Sequence, residues 1–206
     1  MQIKVNIKNM QRIILASQSP RRKQLLEWAE VPFIVITANT AEAIPPNTPV
    51  EEVPIIIARE KAMVVKEKIG EYTDGRQYPD AALPILAADT IVVLGNEIIG
   101  KPANRQHAID ILTSLSGKHH KVITGVVIIY NGYEVGFSDT TDVLFHELTN
   151  EQIEFYVDNY KPYDKAGAYA IQEWIGVVGI KSVNGDFYNV MGLPVSRVVK
   201  ELMTLE

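Results

Sequence analysis

The apolar run Ile13-Ile14-Leu15-Ala16 gives way within three residues to Ser19-Pro20-Arg21-Arg22, and any fold for this chain has to accommodate that junction. The run reads as a strand. Ser19 suits the position that caps a helix and Pro20 the first helical position, so a helix starts almost at once. Cations in a first turn oppose the helix dipole, at about 0.3–1 kcal/mol each, so Arg21 and Arg22 are badly placed for folding alone. An anion removes the conflict. Unpaired backbone N–H groups, the positive end of the dipole and two forked guanidinium groups together suit phosphate, and more than one phosphate. On this segment alone a second reading stays open, two solvated arginines on an exposed turn.

The chain has 206 residues, 47% of them apolar, enough for one domain or two closely packed lobes. A net charge of −5 gives no basic field to attract nucleic acid or an anionic membrane. The absence of cysteine rules out disulfides and thiolate metal sites, points any metal chemistry to carboxylates and hard cations, and suits a reducing cytoplasm. Met1 to Met10 alternate apolar and polar residues, as an edge strand or a loose arm would, without the apolar core of a secretory signal. No stretch is long and apolar enough to cross a bilayer.

Along the chain the pattern predicts a strand at 12–16, a helix from Pro20 to about Ala29 and a short strand at 33–37. Thr48-Pro49-Val50-Glu51 has the form of a capping box, with the helical run firm from Ile55 to Val65 because Pro54 limits it. Residues 70–84 read as an exposed loop of unusual length. A strand is expected at 85–94, a Gly95-Asn96 turn into a strand at 97–99, and a helix at 104–115. Asn131-Gly132 is the strongest hairpin signal, between strands at 121–130 and 133–139. Thr149-Asn150-Glu151-Gln152 caps a further helix, a strand is expected at 177–183, and a last helix at 194–203. Hairpins mixed with helices argue an α/β or α+β fold on a mixed sheet.

Asp89 interrupts two apolar stretches of one strand, and an unpaired buried carboxylate is costly, so it should lie at a strand end or bulge and face something positive. It either caps backbone groups or carries chemistry. Gly95 to Lys101 matches the first seven positions of a phosphate-binding loop, but Pro102 stands where a hydroxyl is needed and a strand stands where a helix should follow. That leaves Lys101 as a point charge on a strand end. His119 and His120 face opposite sides of a strand and cannot form a two-ligand metal site; a structural role or a phosphate contact suits them better. Most of Tyr156, Tyr160, Tyr163 and Tyr169 read as packing, and Lys61 reads equally well as a solvated helix residue.

From Ile13 to about Arg197 these pieces resemble the Maf family of nucleoside triphosphate pyrophosphatases, also described as septum formation inhibitor-like proteins. The resemblance is carried by Ala16-Ser17-Gln18-Ser19-Pro20-Arg21-Arg22, the Glu42 loop, Ala58-Arg59-Glu60-Lys61-Ala62, Ala88-Asp89-Thr90 and Gly100-Lys101-Pro102. Ser116-Gly117 with His120, Thr124-Gly125-Val126, Asp164 to Tyr169 with Ile171-Gln172, and Asn189 with Gly192-Leu193-Pro194 complete it. Each piece is weak alone, and together in this order they are specific.

The resemblance implies a mixed, elongated α/β sheet flanked by helices in two lobes around a central cleft, with residues 12–206 as one catalytic domain after an extension at 1–11. It further implies a homodimer and a reaction dependent on Mg²⁺ or Mn²⁺ that converts a nucleoside triphosphate to its monophosphate and pyrophosphate. Carried over position by position, Ser19, Arg21, Arg22, Lys61 and Lys101 hold the phosphates, and Lys101 counts with Glu42 and Asp89 as catalytic. Glu42 and Asp89 hold the metal and activate water. The Lys165-Ala166-Gly167-Ala168-Tyr169 run ending in Gln172 resembles the subgroup acting on dTTP and UTP, with Gln172 beside the base. Where the family's loop commonly carries a second acid before the matched glutamate, this chain has Ala41. Two rival readings remain: a non-catalytic nucleotide-binding regulator of septum formation, and a phosphatase releasing the terminal phosphate.

Overall fold

A computed structural model of the chain describes residues 10–37, 39–41, 43–71 and 83–205. The arm expected over Met1 to Met10, all but its last residue, and the greater part of the 70–84 loop lie outside them, as does Glu42. The order is β1 (Ile13–Leu15), α1 (Pro20–Trp28), β2 (Phe33–Val35), α2 (Val53–Glu71), β3 (Ile85–Leu94), β4 (Glu97–Ile99) and α3 (Arg105–Leu115). It continues with β5 (His119–Tyr130), β6 (Tyr133–Phe145), α4 (Asn150–Tyr160), a 3₁₀ turn (Ala166–Ala168), α5 (Trp174–Gly179), β7 (Ile180–Asn184), α6 (Phe187–Met191) and α7 (Val195–Leu202). Among the described residues the strands form one seven-stranded sheet in the order β2-β1-β3-β5-β6-β7, with β4 on β3. β1 pairs in parallel with both β2 and β3, whereas β3–β4 and β6–β7 are antiparallel, so the sheet is mixed as expected.

The chain divides into two compact units, one of Met1–Asp89, Gly125–Phe137 and Val195–Glu206, the other of Thr90–Thr124 and Ser138–Pro194. In the first, α2 presents Ala58, Ala62, Val65 and Ile69 to Ile14, Ile85, Ala87, Val127 and Ile129 of the sheet. Their spacing of four, three and four residues is one face of a helix. The alanines let that helix lie close. At its first turn the approach is closer still: a Cβ on Gly125 would fall 2.2 Å from the Pro54 carbonyl carbon and 2.3 Å from Ile55 N. Glycine is required there by backbone meeting backbone.

Two expectations are corrected. The helix does not start at the Thr48 box; Thr48 donates its hydroxyl to the Pro45 carbonyl at 2.7 Å and α2 begins at Val53. A start at Pro49 would put Pro54 in the helix interior, where its missing N–H and its ring are costly, whereas as the second residue it forfeits a donor that has no partner anyway. The strand expected at 177–183 begins only at Ile180, because Trp174 to Gly179 form α5. Val177 is 79% exposed, so the apolar run is no buried strand. A third difference is one of length: β6 runs on to Phe145, six residues past Asp139. The hairpin at Asn131-Gly132 has φ of 47° and 82°, the doubly positive turn those residues favour. Thr149 and Gln152 form the expected reciprocal cap of α4. Among the described residues no helix is long and apolar enough to cross a membrane.

Candidate active site

β1 is short, and its shortness makes the site. Leu15 pairs with Leu86 and Ala16 N–H donates to the Leu86 carbonyl at 2.8 Å, after which the chain leaves the sheet while β3 runs on through Ala87, Ala88 and Asp89. Of the strand end or bulge expected for Asp89, the strand end is not where it lies: it sits inside β3, and the end belongs to its neighbour β1. Carboxyl ends of parallel strands are where α/β sheets bind ligands, because helices start there with unpaired N–H groups.

The turn from β1 to α1 is built from hydroxyls. Ser17 Oγ accepts from Ser19 N–H at 3.2 Å and from Arg22 Nη1 at 3.1 Å, and Ser19 Oγ caps α1 at Arg22 N–H. Ser17 and Arg22 are both buried. Burial pushes the Arg22 guanidinium below its ordinary pKa; the negative charge of Asp89 opposes that shift, and Arg21 adds to it. The guanidinium donates to the Ser17 hydroxyl and feels the Asp89 carboxylate. The sequence reading carried Ser17 in its motif without a role, though a small hydroxyl directly after an apolar strand was a signal for one.

Lys61 reaches this place from α2. Its Nζ lies 2.6 Å from Asp89 Oδ1, with the two side chains 19% and 18% exposed. It is therefore ion-paired and largely buried, and not the solvated helix residue that it reads equally well as in the sequence. The rest of its motif is equally committed: Ala58 and Ala62 are fully buried, Arg59 Nε donates to Glu134 at 2.6 Å, and Glu60 Oε1 accepts from Ala41 N–H at 2.9 Å. Glu60 thus pins the residue before Glu42. The first unit in this way brings together Ser19, Arg21, Arg22, Lys61 and Asp89, a patch of cations around one carboxylate.

Lys101 and Gln172 belong to the second unit, and both are exposed. Gly167, at φ +70°, donates its N–H to the Gly100 carbonyl at 3.2 Å, which ties the Lys165–Gln172 segment to the residue before Lys101. His120 is buried with its Nε2 2.7 Å from the Tyr169 hydroxyl and its ring edge-on to Tyr169 and Phe145. Burial lowers its pKa to about 4, against a weaker contribution from the Lys118 backbone that raises it. His120 is structural. Thr90, Thr124, Asn189 and Thr141 form a polar chain that the sequence reading also missed: Thr90 Oγ1 lies 2.9 Å from Thr124 Oγ1, Thr124 donates to the Asn189 carbonyl, and Asn189 Nδ2 donates to Val122 O and Thr141 Oγ1.

Among the described residues no three His, Asp or Glu side chains are grouped to hold a metal. Asp89 is the one site carboxylate there. That donor set does not suit a resident ion caged by protein, but it suits Mg²⁺ or a similar hard cation, which keeps waters and binds through one or two carboxylates together with substrate phosphates.

Residues 12–205 match the family model for Maf-like proteins. The chain belongs to the Maf-like family. Among its relatives, the dTTP/UTP pyrophosphatase of Cytophaga hutchinsonii is 48% identical over 92% of this chain and 82% of its own length. Proteins of the same name from Bacteroides fragilis strain YCH46 and Porphyromonas gingivalis strain W83 are 45% and 42% identical, over 94% and 93% of this chain and 96% and 92% of theirs. The solved Staphylococcus aureus Ham1 protein matches 66% of this chain and 72% of its own at a TM-score of 0.39 and 13% identity. Of the residues that carry the family resemblance in the first unit, Ser17, Ser19, Arg22, Lys61 and Asp89 meet near the end of β1.

Proposed function

We propose that this Maf-like chain hydrolyses dTTP and UTP to the nucleoside monophosphate and pyrophosphate. The observation that carries the reading is the Lys61–Asp89 pair beside Arg22 and the start of α1, an acid set among phosphate-binding groups. Support for the substrates comes from relatives named dTTP/UTP pyrophosphatase at 42–48% identity over most of the chain.

A triphosphate brings roughly four negative charges, and preorganised donors in a partly dry site are worth most where charge develops. The first turn of α1 offers its N–H groups, Arg21 and Arg22 offer forked donors, and Ser17 keeps Arg22 aimed. Lys61 occupies Asp89 Oδ1, which fixes the carboxylate and leaves Oδ2 to orient a water and take its proton. The water oxygen bonds to the α-phosphorus, the bond from that phosphorus to the bridging oxygen breaks, and pyrophosphate departs. The family resemblance assigns Lys101, an exposed cation, to the phosphates as well. A divalent cation such as Mg²⁺ or Mn²⁺, held by Asp89 and Glu42 with phosphate oxygens, would supply charge neutralisation and acidify the water. Gln172 reads the base: its amide donates to O4 and accepts from N3–H of uracil or thymine, whereas cytosine presents the reverse pattern.

The test is turnover of a nucleotide panel with Mg²⁺ or Mn²⁺ and with EDTA, resolving all products by ion-exchange chromatography. Monophosphate and pyrophosphate from dTTP and UTP, lost in EDTA, are expected. Diphosphate and orthophosphate as first products refute the reaction. Nucleotide binding without turnover would favour a non-catalytic regulator.

A further inference from the structure

Gln172 is exposed and makes no side-chain hydrogen bond among the described residues, yet the segment that carries it is held at several points. Glu173, the next residue, is gripped from two sides. Tyr156, fully buried on α4, donates its hydroxyl to Glu173 Oε2, and the Tyr156 hydroxyl oxygen in turn accepts Ala170 N–H at 3.2 Å. Lys165 Nζ, also buried, lies 3.5 Å from Glu173 Oε1 and 2.7 Å from Asp164 Oδ1. One carboxylate therefore ties the first residue of the segment to the residue just past its last, and one phenol ties Ala170 to that same residue. On the far side of Glu173, Trp174 packs on Phe155, the neighbour of Tyr156, with ring centroids 4.8 Å apart. At the other end a Cβ on Gly167 would fall 2.9 Å from Val92 Cγ2, so the turn sits hard against β3.

Holding a short segment with an ammonium, a carboxylate and a phenol costs desolvation that apolar packing would avoid. Such a clamp fixes direction as well as distance, because each partner must be met along a hydrogen bond. We propose that Glu173, clamped by Tyr156 and Lys165, is the positioning residue that aims Gln172 at the pyrimidine base. The proposal rests on the reading of Gln172 given above. A site that hydrogen-bonds one edge of a base discriminates only when its amide is fixed; an amide free to turn over presents donor and acceptor alike to uracil and to cytosine.

The test compares Tyr156→Phe, Glu173→Ala, Glu173→Gln and Gln172→Leu by kcat and KM on UTP, dTTP and CTP, by the inhibition constant of inorganic tripolyphosphate, and by Tm. Tyr156→Phe keeps the ring and its stacking on Tyr160, 5.0 Å away, but removes the hydroxyl that joins Ala170 to Glu173. For Tyr156→Phe and Glu173→Ala the expected result is a KM for UTP raised about tenfold and a UTP-to-CTP preference narrowed about as much. The kcat on saturating UTP and the tripolyphosphate constant should stay within about threefold of wild type. Glu173→Gln, which still accepts from Tyr156, should restore most of the preference. If Gln172→Leu narrows the preference and the clamp variants do not, the proposal is overturned while Gln172 keeps its role. If Gln172→Leu itself leaves the preference unchanged, the reading of Gln172 fails and the proposal with it. Equal losses on every nucleotide, tracking a fall in Tm and not rescued in Glu173→Gln, would make the clamp a structural brace and overturn the proposal.

Discussion

Asp89→Asn should move three quantities in different directions. The amide keeps the shape of the side chain and one acceptor oxygen, but among the described residues it removes the negative charge that faces Arg22 and Lys61. At 2.6 Å the attraction between Lys61 and Asp89 is ~2–6 kcal/mol for an effective dielectric of ~80 to ~20. Desolvation offsets much of that, and with both side chains still 18–19% exposed the net loss of stability should be about 1–2 kcal/mol. That corresponds to a fall in Tm of about 2–8 °C for a chain of this size. Turnover of UTP should fall by at least about a hundredfold, the scale of losing one preorganised transition-state contact. Binding should go the other way. Inorganic tripolyphosphate, titrated by calorimetry in EDTA so that only side chains are tested, should bind as tightly as to wild type or more tightly, since an anion has left a cationic site. Turnover within about threefold of wild type would show a structural ion pair and nothing more. A tripolyphosphate Kd weakened in step with kcat would show that Asp89 merely assembles the phosphate site.

Gly125→Ala should destabilise by about 3 kcal/mol or more, because the new methyl meets the Pro54–Ile55 backbone at 2.2–2.3 Å and neither strand nor helix can yield cheaply; denaturant melting checks this, and a change under 1 kcal/mol would mean that α2 docks elsewhere. Burial lowers the His120 pKa to about 4, below the ordinary 6.5, so the unfolded chain takes up the proton first. The share of stability due to neutral His120, about 3 kcal/mol, is complete above about pH 6.5 and drains away as pH falls towards about 4. Subtracting the profile of His120→Gln from that of wild type isolates it, and parallel profiles from pH 4.5 to 7 would refute it.

What could be read from the sequence was what is local. The Ser19 cap, the Asn131-Gly132 turn and the Thr149–Gln152 cap each depend on residues within a few positions, and each formed. Asp89 stood out as a charge in an apolar run, but its mid-strand place depends on where β1 stops, a fact of another segment. Lys61 looked like any solvated lysine because its partner is 28 residues away. The Thr48 box failed against Pro54, a stronger local constraint six residues on. Val177 and Val178 misled because β-branched residues on an exposed helix spell the same word as a strand. The Tyr156–Glu173–Lys165 clamp left no signal, since a tyrosine on a helix and a charged loop residue are ordinary until folding brings them together.

The account rests on water attacking the α-phosphorus of a pyrimidine nucleoside triphosphate. Turnover of UTP in ¹⁸O-labelled water, with both products analysed by mass spectrometry, tests this most directly. One ¹⁸O atom in UMP and none in pyrophosphate is the predicted result; label in pyrophosphate or in orthophosphate would contradict it.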